Sequence, residues 1–152
     1  MLDKMQQSTY QKAMIVSARR HNSNSQSTTK RRFRGSYCQF PDRREGGLEA
    51  QVCFFLCRNK VPHIHHPASH PVRLPGGKLI ACTPDIEIAG WYIEPHGRLY
   101  FSDNFLEKWR SFRLQYPSKK TMLVTDDYAI PAVPPGVFDT IVSVSNFKTL
   151  FR

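Results

Sequence analysis

Cys53 and Cys57 precede His63, His65, His66 and His70 in one stretch of chain, and Cys82 follows. These are the soft donors from which zinc sites are assembled, and four ligands could be drawn from them. Their spacing argues against it. Leu48, Ala50, Val52, Phe54 and Leu56 alternate with Glu49, Gln51, Cys53, Phe55 and Cys57, a period of two that predicts a strand. On a strand rising about 3.3 Å per residue, Cys53 and Cys57 stand about 13 Å apart. One ion cannot bind both. Pro62, Pro67, Pro71 and Pro75 make residues 60–75 loop or polyproline II. The expectation is a Pro/His-rich surface loop, with no metal and no cofactor. A thiol nucleophile at Cys53 or Cys57 has only sequence proximity to histidine behind it.

Carboxylates are the second chemical resource. Pro84-Asp85 with Glu87 resembles the start of a restriction-type nuclease motif. That motif requires an acidic-x-Lys on the adjacent strand. Neither Glu87 nor Glu94 is followed by Lys at that spacing, and Glu107-Lys108 is adjacent and helical. Asp126-Asp127 follows a strand and reads as a turn or helix cap. Nucleophile-elbow, P-loop, dinucleotide and HExxH patterns are absent. No catalytic residue is assigned, and a metal-dependent nuclease using the histidine loop stands third among the functions considered.

Basic residues carry the strongest signal. The net charge is +10, from 22 Lys/Arg against 12 Asp/Glu. Residues 1–60 hold 12 Lys/Arg and 4 Asp/Glu, and residues 61–152 hold 10 and 8. Lys4, Lys12, Arg19, Arg20, Lys30, Arg31, Arg32 and Arg34 occur with no acid between Asp3 and Asp42. Phosphates attract such an arm by counterion release, without sequence readout. Phe33 and Tyr37 supply faces that could stack on bases. Lys108, Arg110 and Arg113 form a second basic set on a helix. The predicted nucleic-acid-binding residues are therefore Arg19, Arg20, Lys30, Arg31, Arg32, Arg34, Lys108, Arg110 and Arg113. The expected function is a small nucleic-acid-binding protein, DNA more than RNA, in regulation of transcription or an accessory role. The alternative is a module docking on an acidic protein. A homodimer is a base-rate expectation only.

At 152 residues and 17.6 kDa the chain has room for one domain. No stretch approaches the roughly 18 to 20 apolar residues of a membrane helix, and the apolar cluster 13–16 is too short for a signal peptide. The expected location is cytoplasmic, or nuclear in a eukaryote, with reduced cysteines. Residues 21–29 read HNSNSQSTT, a connector with nothing to bury. A basic arm over 1–40, with a short helix over 2–18, precedes a domain over 41–152.

Within that domain the predicted strands are 48–57, 79–82, 86–93, 121–125 and 137–145. Pro95 and Gly97 predict a turn, with a return strand over 98–101. Ser102 or Asp103 predicts the cap of a helix ending at Tyr116. Its residues Phe105, Leu106, Trp109, Phe112 and Tyr116 fall in an arc of about 120°. The fold class predicted is α+β, a small mainly antiparallel sheet with one principal amphipathic helix and a flexible basic N-terminal arm.

Overall fold

A computed structural model describes residues 47–97 and 102–151. The predicted arm, its helix over 2–18, Cys38 and the return strand over 98–101 lie outside the described residues. The elements run α1 (Gly47–Arg58), β1 (Ile64–His65), β2 (His70–Arg73), β3 (Leu79–Cys82), β4 (Ile86–Ile88), β5 (Trp91–Pro95), α2 (Asp103–Gln115), β6 (Lys120–Thr125), a 3-10 segment (Asp127–Ala132), β7 (Thr140–Ser143) and α3 (Val144–Thr149). The fold is α+β. Strand pairing is mainly antiparallel, and the main sheet is mixed, in the order β1-β4-β5-β6-β7. The β1-β4 and β4-β5 pairs are antiparallel, while β5-β6 and β6-β7 are parallel. β2 and β3 form a separate antiparallel pair.

The segment 48–57 is a helix, not the expected strand. Its buried residues are Ala50, Val52, Cys53 and Leu56. Val52 and Cys53 are four and three residues before Leu56, the spacing of one helix face. The segment is apolar on both sides of its alternation, so a period of two and a period of 3.6 both fit the sequence. Residues 60–75 also hold more structure than a loop, since they supply β1 and β2.

The run 86–93 is two strands. Ala89 (φ 50°) and Gly90 (φ 83°) turn the chain between β4 and β5, with positive φ at both central positions, as a tight hairpin turn requires. The turn expected at 94–97 does not lead to a hairpin partner for β5. Both edges of β5 are taken, one by β4 and the other by β6. From β5 the chain passes through α2 to β6, a crossover that makes the pair parallel. The end of the last predicted strand is helical: 144–149 is α3.

α2 starts where its cap predicts. Ser102 is extended, and its hydroxyl accepts from the Phe105 N–H at 3.2 Å. On one face of the main sheet, Val52, Cys53 and Leu56 of α1 and Phe147 of α3 pack with Ile86, Ile88, Ile93, Met122 and Val124. On the other, Trp109 and Phe112 of α2 pack with Tyr92, Leu123, Val72 and Cys82. β5 is therefore covered on both faces, and all five of its residues are buried. No helix among the described residues is long and apolar enough to cross a membrane.

Candidate active site

Glu94 is the one carboxylate within β5, and it is 7 % exposed. Alternation puts it on the same face as Tyr92, toward α2. The Trp109 indole N–H is a donor beside it, although neither Nε1 nor the Glu94 Oε2 makes a well-formed hydrogen bond. Burial and the neighbouring Asp85 carboxylate push the Glu94 carboxyl up to about 8, while Lys108, the Trp109 indole N–H and the Asp85 backbone N–H act the other way. Asp85 immediately precedes β4. Burial and the charge of Glu49 push its carboxyl up to about 6, against His66 and Lys108.

Glu49 comes from the first turn of α1. Its Oε1 lies 3.2 Å from His65 Nε2 and 3.3 Å from His66 Nε2. The His65 and His66 rings are tilted against each other, 4.3 Å between centroids. Burial, then the neighbouring His66, lower the His65 pKa against the pull of Glu49. The His66 N–H donates to the Asp85 carbonyl at 2.7 Å, which fixes the histidine pair to the start of β4. His66 holds a positive φ of 46° to make this turn. α1, β1 and the start of β4 thus deliver Glu49, His65, His66 and Asp85 to one place.

The far end of β5 closes on the same region. Gly97 lies against α1: a Cβ there would come 3.2 Å from Leu48 Cβ. Asp126 Oδ2, at 3.6 Å, would be an ordinary contact, so the close approach is to α1. His96, two residues beyond Glu94, stacks on Phe105 at 4.4 Å between centroids. Its backbone N–H donates to the Val124 carbonyl at 2.9 Å, and its carbonyl accepts from Thr125 Oγ1 at 2.6 Å. Pairing of β4 with β5 sets Asp85, just before β4, beside Glu94 near the end of β5, with His96 immediately beyond the strand.

Of the basic residues predicted to bind nucleic acid, Arg19, Arg20, Lys30, Arg31, Arg32 and Arg34 lie outside the described residues. Lys108 is close enough to Asp85 and Glu94 to oppose their rise. Its Nζ lies 5.5 Å from the Phe105 ring centroid and 5.3 Å from that of Trp109. Arg110 is exposed. Arg113 has an internal partner: it pairs with Asp139 at 2.9 Å and donates to the Gly136 carbonyl at 2.6 Å. Asp126 stands at the N-cap of the 3-10 segment without a side-chain capping bond, Asp127 opens the segment, and Tyr128 and Ser145 donate to their carboxylates.

His65, His66 and Glu94 stand out in the sequence as possible metal or nuclease residues but meet no motif spacing, and nothing in the sequence marks Glu49 or His96. Glu94 was visible as a single charge inside an otherwise apolar strand, with an imidazole two residues later. Neither a protein family, nor a curated protein, nor a solved structure matches this chain.

The raised carboxyls make stability depend on pH with a definite sign. In chelator-treated protein, Asp85 moves from 3.8 to about 6 and Glu94 from 4.5 to about 8 on folding. The folded state then holds protons that the unfolded chain has released, so their stabilisation is lost as pH rises through those folded values. The melting temperature should fall between about pH 5 and 8, and Glu94→Gln should flatten the fall. A melting temperature that rises across this window in both proteins would contradict the burial of these acids.

Proposed function

We propose that the chain is a metal-dependent phosphodiesterase acting on nucleic acid, DNA more than RNA. The observation that carries this reading is the Glu94 carboxylate, buried within β5 beside the Asp85 carboxylate. Two acids crowded in a poorly solvated place repel each other when ionised. A divalent cation resolves that repulsion. Glu49, His65 and His66 bring their donor atoms within 4.8 Å of one another, and the Asp85 and Glu94 carboxylates beside them make a carboxylate-rich surrounding that suits Mn²⁺ or Mg²⁺.

Such an ion, when bound, supplies charge neutralisation at the phosphate and a more acidic water. The chain's own groups do the rest. His65 and His66 orient Glu49. Lys108 places one ammonium beside the carboxylates, where it faces a phosphate oxygen. His96 is the group suited to accept the proton of the attacking water. The water oxygen bonds to phosphorus, the P–O bond to the departing sugar oxygen breaks with inversion, and that oxygen takes a proton from solvent.

The basic arm supports nucleic acid as the substrate. Four neutralised phosphates, at Lys30, Arg31, Arg32 and Arg34, contribute about −3.6 to the slope of log K against log salt, at about −0.9 each. Replacing all four with Ala should flatten the slope by about that amount on two unrelated duplexes. An unchanged slope would favour an acidic protein partner instead.

The activity is tested by incubating the full chain with supercoiled plasmid and labelled duplex in Mg²⁺, Mn²⁺ or EDTA. Nicking or cutting with metal and none with EDTA is the expected result. Salt-sensitive binding without cleavage in either metal would leave the second reading, a nucleic-acid-binding protein, which the charge distribution favours.

A further inference from the structure

The helical form of 48–57 removes the obstacle that its expected strand form placed before a second metal site. Cys53 and Cys57 are four residues apart on α1, one turn of helix, so their side chains share a face about 5–6 Å apart at Cβ. Beyond the helix the chain reverses. Lys60 adopts φ 55°, and the Val61 N–H returns to the Leu56 carbonyl at 2.9 Å. This reversal lays His63 against the last turns of the helix.

His63 Nε2 then lies 3.8 Å from Cys53 Sγ and 3.9 Å from Cys57 Sγ. All three donor atoms lie within 4.8 Å of one another. A tetrahedral zinc with bonds of about 2.3 Å to sulfur and about 2.0–2.1 Å to nitrogen needs S···N edges near ~3.6 Å and an S···S edge near ~3.8 Å. The sulfur–nitrogen edges are a few tenths of an ångström from that requirement. The imidazole is already oriented. His63 Nδ1 lies 2.8 Å from the Val61 carbonyl and donates to it, which places the proton on Nδ1 and the lone pair on Nε2. Metal-bound histidines are held by this outer-shell bond. Cys53 is buried, and Cys57 and His63 are half-buried, so the donors are screened from water without being sealed.

We propose that Cys53, Cys57 and His63 bind one zinc ion, with a water completing its tetrahedron, distinct from the carboxylate centre and holding the chain before β1 against α1. Two thiolates and an imidazole select zinc over Mg²⁺ or Mn²⁺, which prefer oxygen. The ion pins residues 59–63 to α1. That is the lead-in to His65 and His66, the pair that orients Glu49. On binding, each thiol releases its proton to solvent as its sulfur–zinc bond forms.

The test uses the full chain, expressed in zinc-supplemented medium and purified without chelator. Metal analysis should find about one zinc per chain. Exchange into Co²⁺ should give a near-ultraviolet thiolate-to-cobalt charge-transfer band with intense visible bands of a four-coordinate ion. Cys53→Ser and Cys57→Ser should each lower that band, and His63→Ala should shift it. Asp85→Asn and Cys82→Ser should leave it as in the wild type. Where a Ser variant fails to fold, the wild-type spectrum decides alone, with alkylation of Cys57 slowed by zinc as its companion reading. A Co²⁺ protein with no charge-transfer band, or a band unchanged in the folded Cys53→Ser and Cys57→Ser variants, would overturn the site. Loss of the band in Asp85→Asn would overturn its separation from the carboxylate centre.

Discussion

Glu94→Gln lowers metal-dependent cleavage by at least about 100-fold, since even groups that only support a metal ligand are worth about 10- to 100-fold. The substitution keeps shape and volume and removes the charge. Glu94 is surrounded by Tyr92, Trp109 and the start of β4, so a neutral amide fits the space and ends the repulsion with Asp85. The folded protein should therefore be as stable as the wild type or more so at pH 8, while cleavage is lost. That pairing separates a chemical role from a structural one. Asp85→Asn should behave alike. Its neighbour Pro84 is buried and its carbonyl is held by His66, so the backbone has little reason to move. Cleavage by Glu94→Gln within a few-fold of wild type, at matched metal, would remove Glu94 from the site.

The second large effect is on stability. Trp109→Ala should destabilise by about 3–5 kcal/mol, the cost of deleting a large buried aromatic side chain. Trp109 is fully buried on α2. Its ring meets Phe112 at 5.4 Å and Phe138 at 5.2 Å between centroids, and its indole nitrogen belongs to the environment of Glu94. The vacated space would lie between α2 and the main sheet, where neither the sheet nor the capped helix can collapse to fill it. Chemical denaturation of the two proteins measures the difference. A change below about 1 kcal/mol would mean that the α2 face is not what holds this layer together.

How far the sequence discloses this protein differs from element to element. α2 was legible because three local signals agree: the Ser102 cap, the arc of Trp109 and Phe112, and Pro117 beyond its end. β3 and β6 are legible as short apolar runs between turn residues, while β4 and β5 read as one run because Ala89-Gly90 breaks it only through its positive φ angles. α1 was not, because Phe54 and Phe55 make both sides of the segment apolar, and alternation then fits as well as helical spacing. The mistake carried forward. The strand form of 48–57 put Cys53 and Cys57 on one face but too far apart for a shared ion, and it hid Glu49 from Asp85. Glu94 is a single charge in an apolar run without acid-x-Lys spacing, so no local pattern marks it. Tertiary facts do the rest: that β4 pairs with β5, and that residues 64–66 turn back on α1, depends on contacts distant in sequence.

Direct binding of Mn²⁺ bears most closely on the central claim. Free Mn²⁺ is followed by electron paramagnetic resonance as it is titrated into wild type, Glu94→Gln and the Cys53→Ser/Cys57→Ser double variant at pH 8. Saturable binding of Mn²⁺ by wild type and by the double variant, lost in Glu94→Gln, is the result predicted by a carboxylate centre built from Glu49, Asp85 and Glu94. Equal Mn²⁺ binding by wild type and folded Glu94→Gln, or no binding by the wild type, would contradict it.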